Sequence, residues 1–346
     1  MEMAESVTVM DTRARRRVAA HQGPARVLAP VVGGLALLLA LIWLIGTALK
    51  DPRPHDIPVA IAGPPAAVQQ VSTALASGAP GAFKVTSYNS ESEARAALDS
   101  RSVDGVLVLG AGAPLLIVAG AAGDTSTGVI TAAFTGAFKA QGVAVRVETV
   151  HPFAAGDAHG LILFFVVVAA LVSTLVAQAA LGLDRRAGAG PRLAVAGLFA
   201  VLAGPAAMGS AAWIAGGYGP GFWPAAGLVA LASASAGLAV AGSVRLLGRP
   251  GFALAALVVV LLDLVSSGGP AGSQVLPDFY RSLAPWMPAG ELYNALRGVL
   301  FFDGAAIGRS ILVLCGWLLG GLALLLLGEL VARRSRRALA APPAAQ

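Results

Sequence analysis

The stretch GFALAALVVVLLDLVSSGGPAGSQVLPDFYRSLAPWMPAGELYNALRGVLFFD, Gly251 to Asp303, decides how the chain is read. It opens with an apolar run, Phe252 to Val265, and is followed by a second one, Ser310 to Ala332. Both read as membrane spans. Between them, Pro270, Pro277, Pro285 and Pro288 interrupt any continuous helix, while Phe279, Tyr280, Trp286, Tyr293, Phe301 and Phe302 suit a lipid headgroup boundary. This middle segment is expected to lie on the membrane surface. Leu292, Leu296, Val299 and Leu300 recur at helical intervals, with Glu291, Asn294 and Arg297 largely on other faces, so Gly290 to Phe302 is expected to form a short interfacial helix.

Composition agrees. With 57% hydrophobic residues, 12% charged residues and a mean hydropathy of +0.77, the chain departs from soluble domains, where charge approaches a quarter. It is expected to be an α-helical integral membrane protein. The net charge of +6 does not point to nucleic acid, because the arginines cluster beside apolar runs rather than on one folded face. The single cysteine, Cys315, lies inside an apolar run and reads as a buried structural thiol.

Six spans are expected. A basic segment, residues 1–26 with Arg13, Arg15, Arg16, Arg17 and Arg26, precedes the first apolar run, residues 27–49, which is longer than a signal-peptide core and reads as an uncleaved anchor. Five further runs follow: Gly160 to Leu181, Leu193 to Ala215, Phe222 to Val244, Phe252 to Val265, and Ser310 to Ala332. A crossing needs about 20 residues at about 1.5 Å each for a core of about 30 Å. Phe252 to Val265 is short, and either extends at both ends or is re-entrant. Counting charges favours extension. With six crossings the amino terminus, Leu183 to Arg192, Arg245 to Arg249 and the tail, residues 333–346 with Arg333, Arg334, Arg336 and Arg337, all face the cytoplasm. Residues 159–332 then form a five-helix transmembrane domain with an external segment, 266–309.

Between the first two spans, residues 50–158 regain charge, and their apolar runs shorten to strand length. Ile57 to Ala62, Phe83 to Tyr88, Val103 to Leu109, Leu115 to Ala119 and Val143 to Val150 read as strands. Pro65 to Ala76, a helix opened by the Ser90-x-x-Glu93 capping box and ending near Leu98, and Thr127 to Lys139 read as helices, with Asp124 to Thr127 as an N-cap. The alternation predicts a small extracytoplasmic α/β domain. His55, His151 and His159 lack ligand spacing and read as surface or interfacial residues.

Two stretches carry a resemblance. Ser266-Ser267-Gly268-Gly269, Leu276-Pro277, Leu283, Pro285, Pro288, Tyr293 and Ala295-Leu296-Arg297 resemble the signature before the last transmembrane helix of the ABC type 2 permease superfamily, closest to its phage-infection-protein-like branch. Glu93-Ala94, Leu98 and Val103-Asp104-Gly105-Val106 resemble that superfamily's extracytoplasmic insert. The resemblance implies the membrane subunit of an exporter, working as a homodimer or heterodimer of permeases, with a separate cytoplasmic ABC ATPase subunit, on an amphiphilic or lipidic substrate. It also implies an ATPase-docking surface around the basic amino terminus and Arg185, Arg186 and Arg192. The alternative is an envelope factor whose external domain binds a partner or supports secretion without transport. No G-x-x-x-x-G-K-[ST] sequence occurs, so no enzyme and no cofactor is expected in this chain, and ATP hydrolysis would belong to the partner.

Only Asp263 and Glu329 place carboxylates inside spans, both near an interface. Such a chain lacks a midspan charge relay and suits a substrate that needs no polar path. Small residues in the third and fourth spans, among them Ala206, Ala207, Gly209, Ala230, Ser233, Ser235 and Gly237, and a GxxxG pair, Gly316 and Gly320, are expected to pack against helices or a second copy.

Overall fold

The computed structural model describes residues 28, 31–48, 50, 52–183 and 186–340, the side chains of 336–340 excepted. The amino-terminal arginine cluster and Arg185 lie outside the described residues. The protein is mostly helical, with six helices long and apolar enough to cross a membrane. The first of them, Val31–Ala48 (α1), belongs to one compact unit, and residues from 51 onward form the other.

The second unit opens with an α/β sheet. Its strands are Ile57–Ala62 (β1), Phe83–Tyr88 (β2), Gly105–Val108 (β3), Leu115–Ala119 (β4) and Arg146–Val150 (β5), in the spatial order β2-β1-β3-β4-β5. All pairs are parallel except β3 with β4, where Val108 stands opposite Leu115. Pro65–Gly78 (α2), Glu91–Asp99 (α3) and Asp124–Lys139 (α4) make the parallel crossovers. The two-residue period of β1 sorts its side chains. Ile57, Val59 and Ile61 pack with Leu75 of α2 and with Ile130 and Phe134 of α4, while Ala60 and Ala62 pack with Ala94, Ala97 and Leu98 of α3.

The Ser90 cap forms as the sequence implies, its Oγ accepting from Glu93 N at 3.2 Å. The Asp124 cap does not. The helix already starts at Asp124, and Gly123, at φ 139°, supplies the turn that a capping side chain was expected to make. Strands β3 and β5 are shorter than expected, Gly105–Val108 and Arg146–Val150.

The bundle comprises Leu161–Ala179 (α5), Ala189–Ala215 (α6), Phe222–Leu247 (α7), Arg249–Ser266 (α8) and Gly308–Ala340 (α11), with Asp278–Leu283 (α9) and Pro288–Phe301 (α10) before the last. The short run extends at both ends to 18 residues, about 27 Å at about 1.5 Å per residue, close to a core of about 30 Å. Its middle, Ala256–Leu262, is wound as a π-helix. Only Gly248, at φ 73°, separates α7 from α8. The expected cytoplasmic loop Arg245 to Arg249 is therefore almost entirely helical.

Helix α7 is the centre of the bundle, with 78% of its most apolar stretch buried against 22% for α6 and α11. In lipid, apolar contact between helices gains nothing over contact with acyl chains, so close backbone approach must hold them. Glycines permit it. A Cβ on Gly204 of α6 would meet Ala226 O of α7 at 2.2 Å, and one on Gly321 of α11 would meet Ala239 N at 2.5 Å. Ser233, Ser235 and Gly237 are buried in α7 as expected, whereas Gly209, Gly316 and Gly320 meet nothing. The packing glycine of α11 is thus Gly321, not the GxxxG pair. Apolar side chains face outward, among them Trp213 at 87% exposure and Leu312 at 74%.

Candidate functional site at the junction of sheet and bundle

Within the segment expected on the lipid surface, α10 is packed into protein. Eight of the 14 residues of α10 are buried, including Glu291, Leu292, Tyr293 and Leu296. Of the six aromatics read as headgroup anchors, Tyr280, Tyr293 and Phe302 are buried; Phe279 and Trp286 stay exposed. An amphipathic period looks the same whether its apolar face rests on lipid or on a neighbouring helix, and here that face rests on α5, α7 and α11.

The polar face of α10 meets the sheet domain. Arg101, in the turn after α3, donates from Nη1 to Asn294 O at 3.0 Å and from Nη2 to Asn294 Oδ1. Arg297 donates from Nη1 to Ala122 O and lies 4.8 Å over the Tyr293 ring. Phe302 is held between the Arg101 guanidinium, 5.0 Å from its centroid, and the His151 ring, stacked at 4.7 Å. His151 Nε2 in turn bonds Asp99 Oδ1 at 2.8 Å. Gly298 leaves no room for a side chain: a Cβ there would meet the backbone Ala305 O at 2.8 Å and Ile307 Cγ2 at 2.6 Å. Arg101, His151 and Asp303 all adopt positive φ, between 46° and 60°, a costly conformation for side-chain-bearing residues that this packing maintains.

On its other side α10 is tied to three bundle helices. Tyr293 Oη donates to Gly160 O, at the start of α5, over 3.1 Å. Glu291 Oε2 accepts from Ser310 Oγ of α11 at 2.6 Å. Asp263 Oδ1, at the end of α8, accepts from Ala289 N at 2.8 Å and so caps α10. Asp157 does the same for α5, accepting from Ile162 N and Leu163 N.

The expected motif residues converge here. Ser266 is fully buried and donates to Asp263 O; Pro277 and Pro288 open α9 and α10; Pro285 O accepts from Arg309 Nη2 at 3.3 Å. Between them lies a polar cavity of about 280 Å³ whose lining includes Ser267, Gln274, Glu291, Asn294, Arg297 and Arg309. The sequence reading missed Arg101, His151 and Phe302 as partners of α10, since nothing local in Ser100 to Val103 indicates a residue almost two hundred positions away.

The other expected sites lie apart. Glu329 accepts from Arg245 Nε at 3.0 Å, from Arg333 Nε at 3.1 Å and from Ala189 N at 3.3 Å, joining α6, α7 and α11. Arg186 is exposed, but Arg192 is fully buried and donates from Nη2 to Gly182 O at 2.9 Å. Arg192 therefore shapes the loop from inside rather than presenting a charge on it.

Burial lowers the Arg101 guanidinium to about 10, aided by the Arg297 charge, and pushes the Asp104 carboxyl up to about 6 against the pull of Arg297 and Arg101. For Asp104 the folded value lies above its ordinary 3.8, so its contribution to stability is fully present below about pH 4 and is lost as pH rises through about 6. Asp104→Asn is expected to gain thermal stability over the parent at pH 7 relative to pH 4, read by unfolding in detergent. An equal change at both pH values would contradict the assignment.

No family model, curated protein or solved structure matches the chain. Its functional reading therefore rests on its own geometry. That geometry holds no grouping of three or more His, Cys, Asp or Glu able to hold a metal among the described residues. What it does hold is a clasp in which one short helix touches the sheet domain and four of the long apolar helices, α5, α7, α8 and α11, at once.

Proposed function

We propose that the chain is the membrane-spanning permease subunit of an ABC type 2 exporter, moving an amphiphilic or lipidic substrate outward with energy from a separate ATPase subunit. The observation that carries this reading is that the two stretches resembling that superfamily touch: Arg101, between Glu93 and Val106, bonds Asn294, between Pro288 and Arg297. Neither residue is itself part of the resemblance, but the contact brings the two resembling stretches, distant in sequence, together.

The same contact supports the proposed topology. A sheet domain and an α10 that touch lie on one side of the membrane, and four candidate spans separate them, α5 to α8. An even number of crossings between them requires α8 to cross as well. With Arg333 and Arg334 at the far end of α11, the sheet domain and α10 are extracytoplasmic and the carboxyl tail is cytoplasmic.

Asp263 and Glu329 are both engaged, one as a helix cap and one in ion pairs, which favours a substrate path without a carboxylate relay. In this mechanism the ATPase moves the cytoplasmic ends of the spans, and α10 transmits the motion to the sheet domain because it is bonded to both. Exposed Arg186 remains a candidate contact for the ATPase.

The test is purification from native membranes in mild detergent or nanodiscs. Retention of a phosphate-loop subunit with vanadate-sensitive ATP hydrolysis is expected. Its absence under every extraction condition would reject the reading and favour the envelope factor.

A further inference from the structure

Beside the clasp, one face of α11 is left open. A groove of about 840 Å³ runs along it, lined by Trp286, Leu312, Val313, Gly316, Trp317 and Gly320 among others. Gly316 and Gly320 form its floor, since a Cβ at either would meet nothing within 4 Å, while Gly321, one residue on, is pressed against α7. The glycine pair that was expected to pack a helix instead lines this open groove.

One end of this groove is polar. Arg309 lines both the groove and the 280 Å³ cavity of the clasp, and its side chain is 60% exposed. Its guanidinium lies 5.9 Å from the Trp286 ring centroid, and Trp317 Nε1 donates to the Trp286 backbone O at 2.8 Å, which ties the Trp317 indole to the same segment. The charged side chains lining the cavity are Arg297, Arg309 and Glu291, a net charge of +1. Glu291 Oε1 lies 3.6 Å from Arg309 Nε while its Oε2 accepts from Ser310 Oγ, so one carboxylate stands against two guanidiniums and the lining carries one positive charge in excess.

We propose that a phospholipid docks here, with its phosphate on Arg309, its headgroup entering the polar cavity and one acyl chain in the groove over Gly316 and Gly320. The match is one of charge and polarity: a monoanionic phosphate meets a lining with one cation in excess, Trp286 and Trp317 beside it are residue types that suit a headgroup boundary, and the apolar groove shares Arg309 with the polar cavity. A chain already in lipid gains little hydrophobic energy by entering the groove, so the phosphate contact decides selectivity. A second copy is the poorer occupant. Pairing this face about a two-fold axis along the membrane normal would bring two Arg309 side chains to the same depth and oppose like charges.

The site deepens the permease reading by naming a lipid class, and it rests on that reading only for the helices being membrane spans. Its failure is separable, because lipid retention needs neither ATP nor a partner subunit. The experiment is native mass spectrometry of the full chain in detergent, titrated with a phosphatidylglycerol, with a diacylglycerol of the same chains, and with glycerol phosphate. One retained phosphatidylglycerol is expected, with at least ten-fold weaker retention of diacylglycerol and of glycerol phosphate. Arg309→Gln should weaken phosphatidylglycerol at least ten-fold and Arg309→Lys less, and Gly316→Leu with Gly320→Leu should weaken it by filling the channel. Undiminished binding in Arg309→Gln, equal binding of the chainless phosphate, or disulfide-linked dimers of Gly316→Cys in a Cys315→Ser background within native membranes would each overturn the proposal.

Discussion

Gly204→Ala is expected to cost more than about 3 kcal/mol and to leave little monodisperse protein in detergent, although in most helices the same change stabilises by roughly 0.5 to 1 kcal/mol. The reversal comes from what the added carbon meets. At Gly204 it would sit 2.2 Å from Ala226 O, 3.1 Å from Ala226 C and 3.3 Å from Ala230 Cβ. A backbone carbonyl inside α7 cannot rotate away as a flexible side chain can, so α6 and α7 would have to separate. That separation would loosen the contact through which the central helix is held, because close approach rather than hydrophobic burial binds helices in lipid. Gly209→Ala, five residues on in the same helix, is the control: nothing lies within 4 Å of its Cβ, and it should be neutral or mildly stabilising. Size-exclusion profiles and thermal unfolding of the pair check the difference. Equal behaviour would contradict the α6 and α7 contact.

Glu329→Ala should destabilise by about 3 kcal/mol, because Arg245 is 1% exposed and loses the carboxylate that faces it. The side chain of Glu329 is 20% exposed, which keeps the expected loss at the lower end of the range for buried pairs. The carboxylate also holds Ala189 N at the start of α6 and Arg333 one turn along α11, so three helices loosen together. Changing both partners to apolar residues, Arg245→Met with Glu329→Leu, should recover most of the loss, since no buried charge is then left behind. A double-mutant cycle on unfolding temperature measures this. If the double variant is as unstable as the sum of the singles, the pair is not the coupled node described.

Much of the fold was legible because local signals were strong. Ile57 to Ala62, Phe83 to Tyr88 and Leu115 to Ala119 form strands with the expected bounds, since Pro and Gly bracket short runs dominated by apolar or β-forming residues. The Ser90 cap and the five runs of the bundle were equally readable. The misses share one cause, a partner that is distant in sequence. Periodicity announced an apolar face on α10 but not whether lipid or protein covers it, and only the positions of α5, α7 and α11 answer that. Adjacent glycines on α11 point in different directions, so the GxxxG spacing of Gly316 and Gly320 could not reveal that Gly321 makes the contact. Arg192 and Arg245 counted as topology charges by their places beside apolar runs, yet both are buried, one in the first turn of α6 against Gly182 O and one against Glu329. Of the candidate site, Ser266, Pro285, Pro288, Tyr293 and Arg297 were legible from one stretch, while Arg101 and His151 required the fold.

In the proposed exporter the sheet domain and α10 share the outer side of the membrane, with the end of α11 on the inner side. Single cysteines at Ser92 in α3, Ser282 in α9 and Ser335 in α11, introduced by Ser→Cys changes in a Cys315→Ser background, would be treated in intact cells with a membrane-impermeant maleimide. The expected result is labelling at 92 and 282 before permeabilisation and at 335 only afterwards. Labelling of 335 in intact cells, or of 92 and 282 from opposite sides, would contradict it.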